Sequence, residues 1–234
     1  MNINTKLVKN KKYNGAILHE LVKVSQEYRV LATLRYLFPG EYEQMERIEK
    51  PDLQDNINHF GIEVTSAVQK DDMKANRAFA EIDKNSSDSQ RNAVKKIAES
   101  GYDINNTNGI MSISRSGTED SEKVCLQNAI VNKCPKYHIY KKDFKTIGLA
   151  VLLPEIPSTY AENNISNWIK ELYSEIDIPF DFIYVISCRF CIVYDIKSNL
   201  ADKKDLNNTD SQLLSTIGRM TAEGELTLNS IEWK

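Results

Sequence analysis

Apolar residues along the chain follow a helical spacing in some segments and a strand spacing in others. From Ile17 to Phe38 they recur at helical spacing, and the Pro39-Gly40 pair then supplies a stop, which predicts one long amphipathic helix. The other segments with helical spacing are 67–99, which a Ser-rich NSSDS run divides in two, 119–133, 165–176 and the stretch after Leu206.

Strands are expected where β-branched and aromatic residues cluster. The expected strands are Ile62–Thr65, Ile110–Ser114, Thr146–Leu153, Phe180–Ser187, Arg189–Ile196 and, near the carboxyl end, Leu226–Trp233. Thr146–Leu153 is apolar enough for the centre of a sheet, and Pro154 ends it. Helices and strands alternate, so we expect an α/β or mixed α+β fold in a single domain over residues 1–234.

Composition and charge restrict the function only broadly. The chain has 234 residues, of which 41% are hydrophobic and 27% charged, and a formal net charge of -3, so any surface for nucleic acid must be local. The basic amino-terminal segment is followed by no apolar stretch of signal-peptide or membrane-span length, and four cysteines are too few for a disulfide scaffold. We therefore expect a soluble, cytoplasmic protein that does not bind membranes.

The segment Pro51–Thr65 contains the residues with candidate chemistry. Glu63 is a glutamate inside an otherwise apolar strand, where an ionised carboxylate is costly unless it is paired or binds a metal ion. Asp52 lies eleven residues earlier, so a hairpin around the turn at 56–60 would bring the two carboxylates side by side. Two converging carboxylates suit Mg²⁺ or Mn²⁺, which prefer oxygen ligands.

These residues resemble the motif of the PD-(D/E)xK nuclease superfamily, which has the restriction-endonuclease-like fold. Pro51-Asp52 match the first half of the motif, and Glu63-Val64, within a Gly-Ile-Glu-Val run, match the second half. Thr65 stands where the motif has lysine. The resemblance implies a central mixed sheet flanked by helices, with a core at about 17–153, a helical insertion at about 67–114 and a carboxyl-terminal elaboration at about 154–234.

The resemblance also implies a mechanism, namely metal-dependent hydrolysis of phosphodiester bonds in nucleic acid, with DNA favoured over RNA. Asp52, Glu63 and the Val64 carbonyl would hold the metal ion, and Glu27 on the first helix could add a third carboxylate. Thr65 occupies the catalytic lysine position, so we expect Lys133 from the neighbouring helix to replace that lysine, with Gln127 and Lys70 as further candidates.

A second group of lysines follows the candidate helix. Lys136, Lys141 and Lys142 could contact phosphates of a bound nucleic acid, although lysine runs of this kind are usually just solvated.

The alternative function is a catalytically inactive module that keeps the fold and binds nucleic acid or protein, and a homodimer remains open.

The CRFC spacing of Cys188 and Cys191 would permit zinc or thiol redox chemistry, but buried reduced thiols are the expected state.

Overall fold

The computed structural model describes residues 17–68, 74, 78–79, 82, 87–100, 102–107, 110–115, 119–153 and 157–233. Its helices are α1 (His19–Leu37), α2 (Ser87–Glu99), α3 (Glu119–Val131), α4 (Cys134–Tyr140), α5 (Thr159–Glu175) and α6 (Asn208–Ala222), followed by a 3-10 turn at Leu228–Ser230. Its strands are β1 (Glu46–Arg47), β2 (Leu53–Asp55), β3 (Phe60–Ser66), β4 (Tyr102–Thr107), β5 (Ile110–Arg115), β6 (Thr146–Leu152), β7 (Phe182–Ile186), β8 (Phe190–Asp195) and β9 (Leu200–Asp205).

Seven strands form one mixed sheet in the order β1-β2-β3-β6-β7-β8-β9. The first three strands pair antiparallel, β6 and β7 run parallel to β3, and β8 and β9 return antiparallel. Each parallel step needs a crossover, which α3 and α4 provide between β3 and β6 and α5 provides between β6 and β7. This arrangement confirms the expected α/β class with a mixed sheet and flanking helices.

Helices cover both faces of the sheet. On one face, α1 and α6 pack against inward residues such as Ile62, Val64 and Ala150. On the other face, α3, α4 and α5 pack against Ile147, Leu149 and other residues of β6, β7 and β8. Successive side chains of a strand alternate between faces, so Glu63 projects towards the second set of helices.

Local sequence signals explain where several elements begin and end. The Ser158 side chain accepts a hydrogen bond of 3.0 Å from the Ala161 N–H and so caps the start of α5. The segment expected as one helix over 119–133 is followed by a separate short helix, α4, whose first turn contains Pro135. A proline without an N–H suits the first turn of a new helix and ends the preceding one.

Near the carboxyl end one expectation was wrong and one strand was not predicted. Leu226–Trp233 is not a strand but an irregular segment with a 3-10 turn, and its apolar residues pack against the α1 and α6 core instead of alternating across a sheet. The strand β9 was not expected, because an exposed edge strand with residues such as Lys203 and Lys204 has no apolar periodicity.

The region expected as an insertion lies between β3 and α3 in the chain. Its described residues include α2 and the β4-β5 hairpin, and a small apolar cluster that contains Ala93, Ile97 and Tyr102. The expected first helix of this region is described only in part, and Lys70 lies outside the described residues. The division of the chain into a core, an insertion and an elaboration stays a prediction.

Candidate active site

The β2-β3 hairpin brings Asp52 next to the strand that carries Glu63. β2 begins at Leu53, which pairs with Ile62, and the side chain of the preceding residue, Asp52, accepts a hydrogen bond from the Val64 N–H. The two carboxylates reach different helices, because Asp52 contacts α1 and Glu63 contacts α4. Both side chains are buried, with 5% of Asp52 and 1% of Glu63 exposed.

The Asp52 carboxylate is held by one backbone donor and one lysine. Oδ2 accepts a hydrogen bond of 2.8 Å from the Val64 N–H, and Oδ1 accepts one of 2.8 Å from Lys23 Nζ on α1. The same ammonium group lies 3.0 Å from Glu27 Oε1, and Arg47 Nε donates to Glu27 Oε2 at 2.6 Å. Lys23 therefore bridges two carboxylates, while each of them keeps a second donor.

The Glu63 carboxylate is held by three side chains at the junction of α3 and α4. Lys133 Nζ and Lys136 Nζ each donate to Oε1 at 2.7 Å, and the Tyr140 hydroxyl donates to Oε2 at 2.8 Å. The three donors are spaced by three and four residues, which places them on one face of a helix. Lys133 sits at the N-cap position of α4, not at the end of α3.

These contacts raise the pKa values of Lys23, Lys136 and Tyr140, which therefore stay protonated at neutral pH. Burial by itself would lower the pKa of Lys23. The hydrogen bond to Asp52, the ion pair with Glu27 and the negative charges of these carboxylates together outweigh burial, so the pKa lies well above its usual value. The hydrogen bond to Glu63 raises the pKa of Lys136. Burial, together with the hydrogen bond to Glu63, raises the pKa of the Tyr140 phenol.

The cluster carries an excess of positive charge that faces solvent. Four cations surround three carboxylates, which leaves a net charge of +1 in a chain whose net charge is -3. The carboxylates are buried, whereas the side chains of Lys23 and Lys136 are 64% and 44% exposed. A phosphate group would therefore meet ammonium groups first.

The donors present suit a single divalent cation. Within the described ranges, no three His, Cys, Asp or Glu side chains form a group that could hold a metal ion. Mg²⁺, however, is commonly held by one or two carboxylates together with water and substrate phosphate. Asp52 and Glu63 are two buried carboxylates at the hairpin whose oxygens now accept from protein donors, so a bound ion would have to replace lysine ammonium groups.

The carbonyl of Val64 is a third oxygen donor at this place. Its N–H points to the β2 side of β3, and the carbonyl of the same residue points to the same side. The Asp52 carboxylate accepts from this N–H, so the backbone of Val64 lies beside that carboxylate.

The other candidate residues are more dispersed. Thr65 follows Glu63 on the same face of β3 and is half-buried. The Gln127 amide donates to the Trp168 carbonyl on α5 at 3.1 Å, so this side chain serves the packing of α3 on α5. Lys141 and Lys142 are exposed after α4, and Lys141 Nζ donates to the Lys145 carbonyl at 2.6 Å.

Sequence reasoning missed Lys23, Arg47 and Tyr140. The spacing of Lys23 and Glu27, one helical turn apart on α1, was a weak signal for the first of these. All four cysteines are free thiols, and burial raises the pKa of Cys191 to about 12, which does not favour a reactive thiolate.

Comparisons of the chain with models of protein families, with curated proteins and with solved structures gave no match. None of the helices in the described parts of the chain is both long enough and apolar enough to cross a bilayer.

Proposed function

We propose that this chain is a cytoplasmic, metal-dependent nuclease that hydrolyses phosphodiester bonds in DNA. One observation carries the proposal: the Asp52 side chain accepts a hydrogen bond from the N–H of Val64, the residue after Glu63, and two lysine ammonium groups contact Glu63 although β3 itself has threonine at the motif position. The side of the site that faces solvent is positively charged, which suits a polyanionic substrate.

The order of the elements gives separate support. Along the chain, α1, β1, β2 and β3 come before α3 and β6, with α2 and the β4-β5 hairpin between β3 and α3, and α4 between α3 and β6. β6 pairs parallel with β3, so these elements make the mixed sheet with flanking helices that the resemblance implies. In this order, the motif carboxylates fall on β3 and at the start of β2. The helical junction after α3 then supplies cations to the same face.

Each residue has a definite task in this mechanism. Asp52, Glu63 and the Val64 carbonyl would hold Mg²⁺ or Mn²⁺, and the bound ion would supply Lewis acidity towards water and the scissile phosphate. Tyr140 fixes one oxygen of Glu63. Lys133 and Lys136 orient the other oxygen and, turned towards substrate, stabilise the negative charge that develops on the phosphate.

The lysines after α4 extend the positive surface. Lys141 and Lys142 are exposed and follow the helix that carries Lys136, so they can contact phosphates further along a bound strand. Such contacts position the nucleic acid without selecting its sequence.

The test is cleavage of plasmid DNA with MnCl₂ or MgCl₂. We expect cleavage by the wild type and at least a hundredfold slower cleavage by Asp52→Asn and Glu63→Gln, since each change removes a carboxylate that would bind the metal ion. Glu162→Gln is the matched control, because Glu162 also contacts two cations, Arg189 at 2.8 Å and Lys203 at 2.5 Å, elsewhere on the surface. Equal cleavage by wild type and both site variants would refute a role for these carboxylates.

A second candidate function is a non-catalytic module that binds nucleic acid. All four oxygens of Asp52 and Glu63 already have protein donors, which is the arrangement of a structural ion-pair network. In this case we expect no cleavage with either metal, but DNA binding that weakens when Lys141 and Lys142 are replaced by methionine. Fluorescence anisotropy with a labelled duplex measures that binding.

A further inference from the structure

Lys23 occupies a position that a metal cation could take. Its ammonium nitrogen lies 2.8 Å from Asp52 Oδ1 and 3.0 Å from Glu27 Oε1, so it is a cation held between two carboxylates. Both carboxylates are buried, whereas 64% of the Lys23 side chain is exposed. The cation can therefore leave towards solvent without disturbing the packing of α1.

The two carboxylates stay in place when Lys23 leaves. Asp52 Oδ2 is held by the Val64 N–H at 2.8 Å, and Glu27 Oε2 is held by Arg47 at 2.6 Å. In each carboxylate one oxygen is thus fixed by a donor other than Lys23. Of the second oxygens, Asp52 Oδ1 accepts a hydrogen bond from the Lys23 ammonium group, and Glu27 Oε1 lies 3.0 Å from it, buried and without a hydrogen bond among the described residues. Removal of the ammonium group leaves two oxygens pointing at one position, which is a preorganised site for a cation.

We propose that Lys23 is an internal counter-ion that occupies the cation position between Asp52 and Glu27 and is displaced when a divalent metal ion binds. This inference rests on the proposed function, because Asp52 is one of the carboxylates that would hold the metal ion in both. It adds Lys23 as a residue that sets the metal concentration at which the site fills.

The proposal predicts the direction and size of a change in metal affinity. Binding of the metal ion has to break two part-exposed ion pairs of Lys23 and to overcome the repulsion of its charge. Each part-exposed ion pair changes the equilibrium constant of metal binding by a few-fold. Two pairs are lost, so Lys23→Met should lower the dissociation constant for Mn²⁺ by about tenfold. Methionine keeps the unbranched stem of lysine and removes only the charge.

Isothermal titration with MnCl₂ measures this affinity in the full chain, without substrate. Lys203→Met is the matched control, because Lys203 Nζ also bridges two carboxylates, Glu162 at 2.5 Å and Asp205 at 3.2 Å. We expect tighter Mn²⁺ binding in Lys23→Met and unchanged binding in Lys203→Met. Thermal unfolding gives a second readout, in which Mn²⁺ should stabilise Lys23→Met more than the wild type.

The outcomes separate this inference from the proposed function. If the wild type binds Mn²⁺, Asp52→Asn does not, and Lys23→Met binds no more tightly than the wild type, then the counter-ion role is wrong and the metal site stands. If neither the wild type nor Lys23→Met binds Mn²⁺ at millimolar concentration, both proposals fail. Lys23→Gln replaces Lys23→Met in the titration if the latter does not fold without metal.

Discussion

Glu63 Oε1 accepts hydrogen bonds from two ammonium groups. Either ammonium group can neutralise this carboxylate when the other is removed, so the two partly replace each other. Lys133 and Lys136 each donate at 2.7 Å to this buried oxygen. Replacement of either lysine by methionine leaves the other to neutralise Glu63. Replacement of both leaves a carboxylate that is 1% exposed and, among the residues that the structure describes, keeps the Tyr140 hydroxyl as its side-chain donor.

The expected costs follow from the exposure of the partners. The side chain of Lys133 is 18% exposed and that of Lys136 is 44% exposed, so each single variant should lose about 1 kcal/mol of unfolding free energy. The double variant leaves an uncompensated buried charge, which costs about 3–5 kcal/mol. The double variant should therefore be less stable than the sum of the singles by about 1–3 kcal/mol.

Urea unfolding followed by circular dichroism measures these values. With a slope of about 3 kcal/mol/M, the double variant should unfold at least about 1 M earlier than the wild type. The same cycle in a Glu63→Gln background is the control, because the uncharged amide removes the reason for the coupling. If the two single effects add up to the double effect in the wild-type background, Glu63 is not neutralised by these lysines.

Two further predictions concern other contacts. Burial, together with the hydrogen bond to Asp210, raises the pKa of Tyr36 to about 12, so the neutral phenol is favoured by folding and stability should fall as the pH rises from about 10 to 12. Urea midpoints across this range should fall less in Tyr36→Phe, and equal slopes would contradict the assignment. A Cβ added at Gly61 would lie 2.5 Å from Pro51 Cγ, so Gly61→Ala should displace the residue before Asp52 and cost about 1–3 kcal/mol. Calorimetric titration should also show weaker Mn²⁺ binding in Gly61→Ala, and unchanged stability and binding would refute the close approach.

The sequence predicts the buried strands well and the exposed ones poorly. Thr146–Leu152 is buried along nearly its whole length, so its apolar run identifies it without any tertiary information. Leu200–Asp205 is an exposed edge strand, and its pairing with β8 rests on backbone hydrogen bonds that any side chain permits. The apolar residues at 226–233 led to the prediction of a strand that does not form, because these residues pack on helices without joining the sheet.

The candidate site divides in a similar way. The proximity of Asp52 to β3 could be predicted because a short hairpin joins the two segments. The contact of Lys23 with Asp52 depends on how α1 crosses the sheet. An exposed lysine on a helix has no local sequence feature that reveals such a partner.

Thr65 has a consequence for how the site depends on the fold. A lysine at this position would be fixed to Glu63 by the strand that carries both residues. In this chain the neutralising cations, Lys133 and Lys136, come instead from the start of α4, so the electrostatics of Glu63 depend on the docking of that helix. Tyr140, 4% exposed, anchors the end of α4 in the core and donates to the same carboxylate. Packing of α4 and neutralisation of Glu63 therefore depend on each other. A substitution that loosens α4 should also leave the buried Glu63 carboxylate without its cations and so lower the stability of the protein.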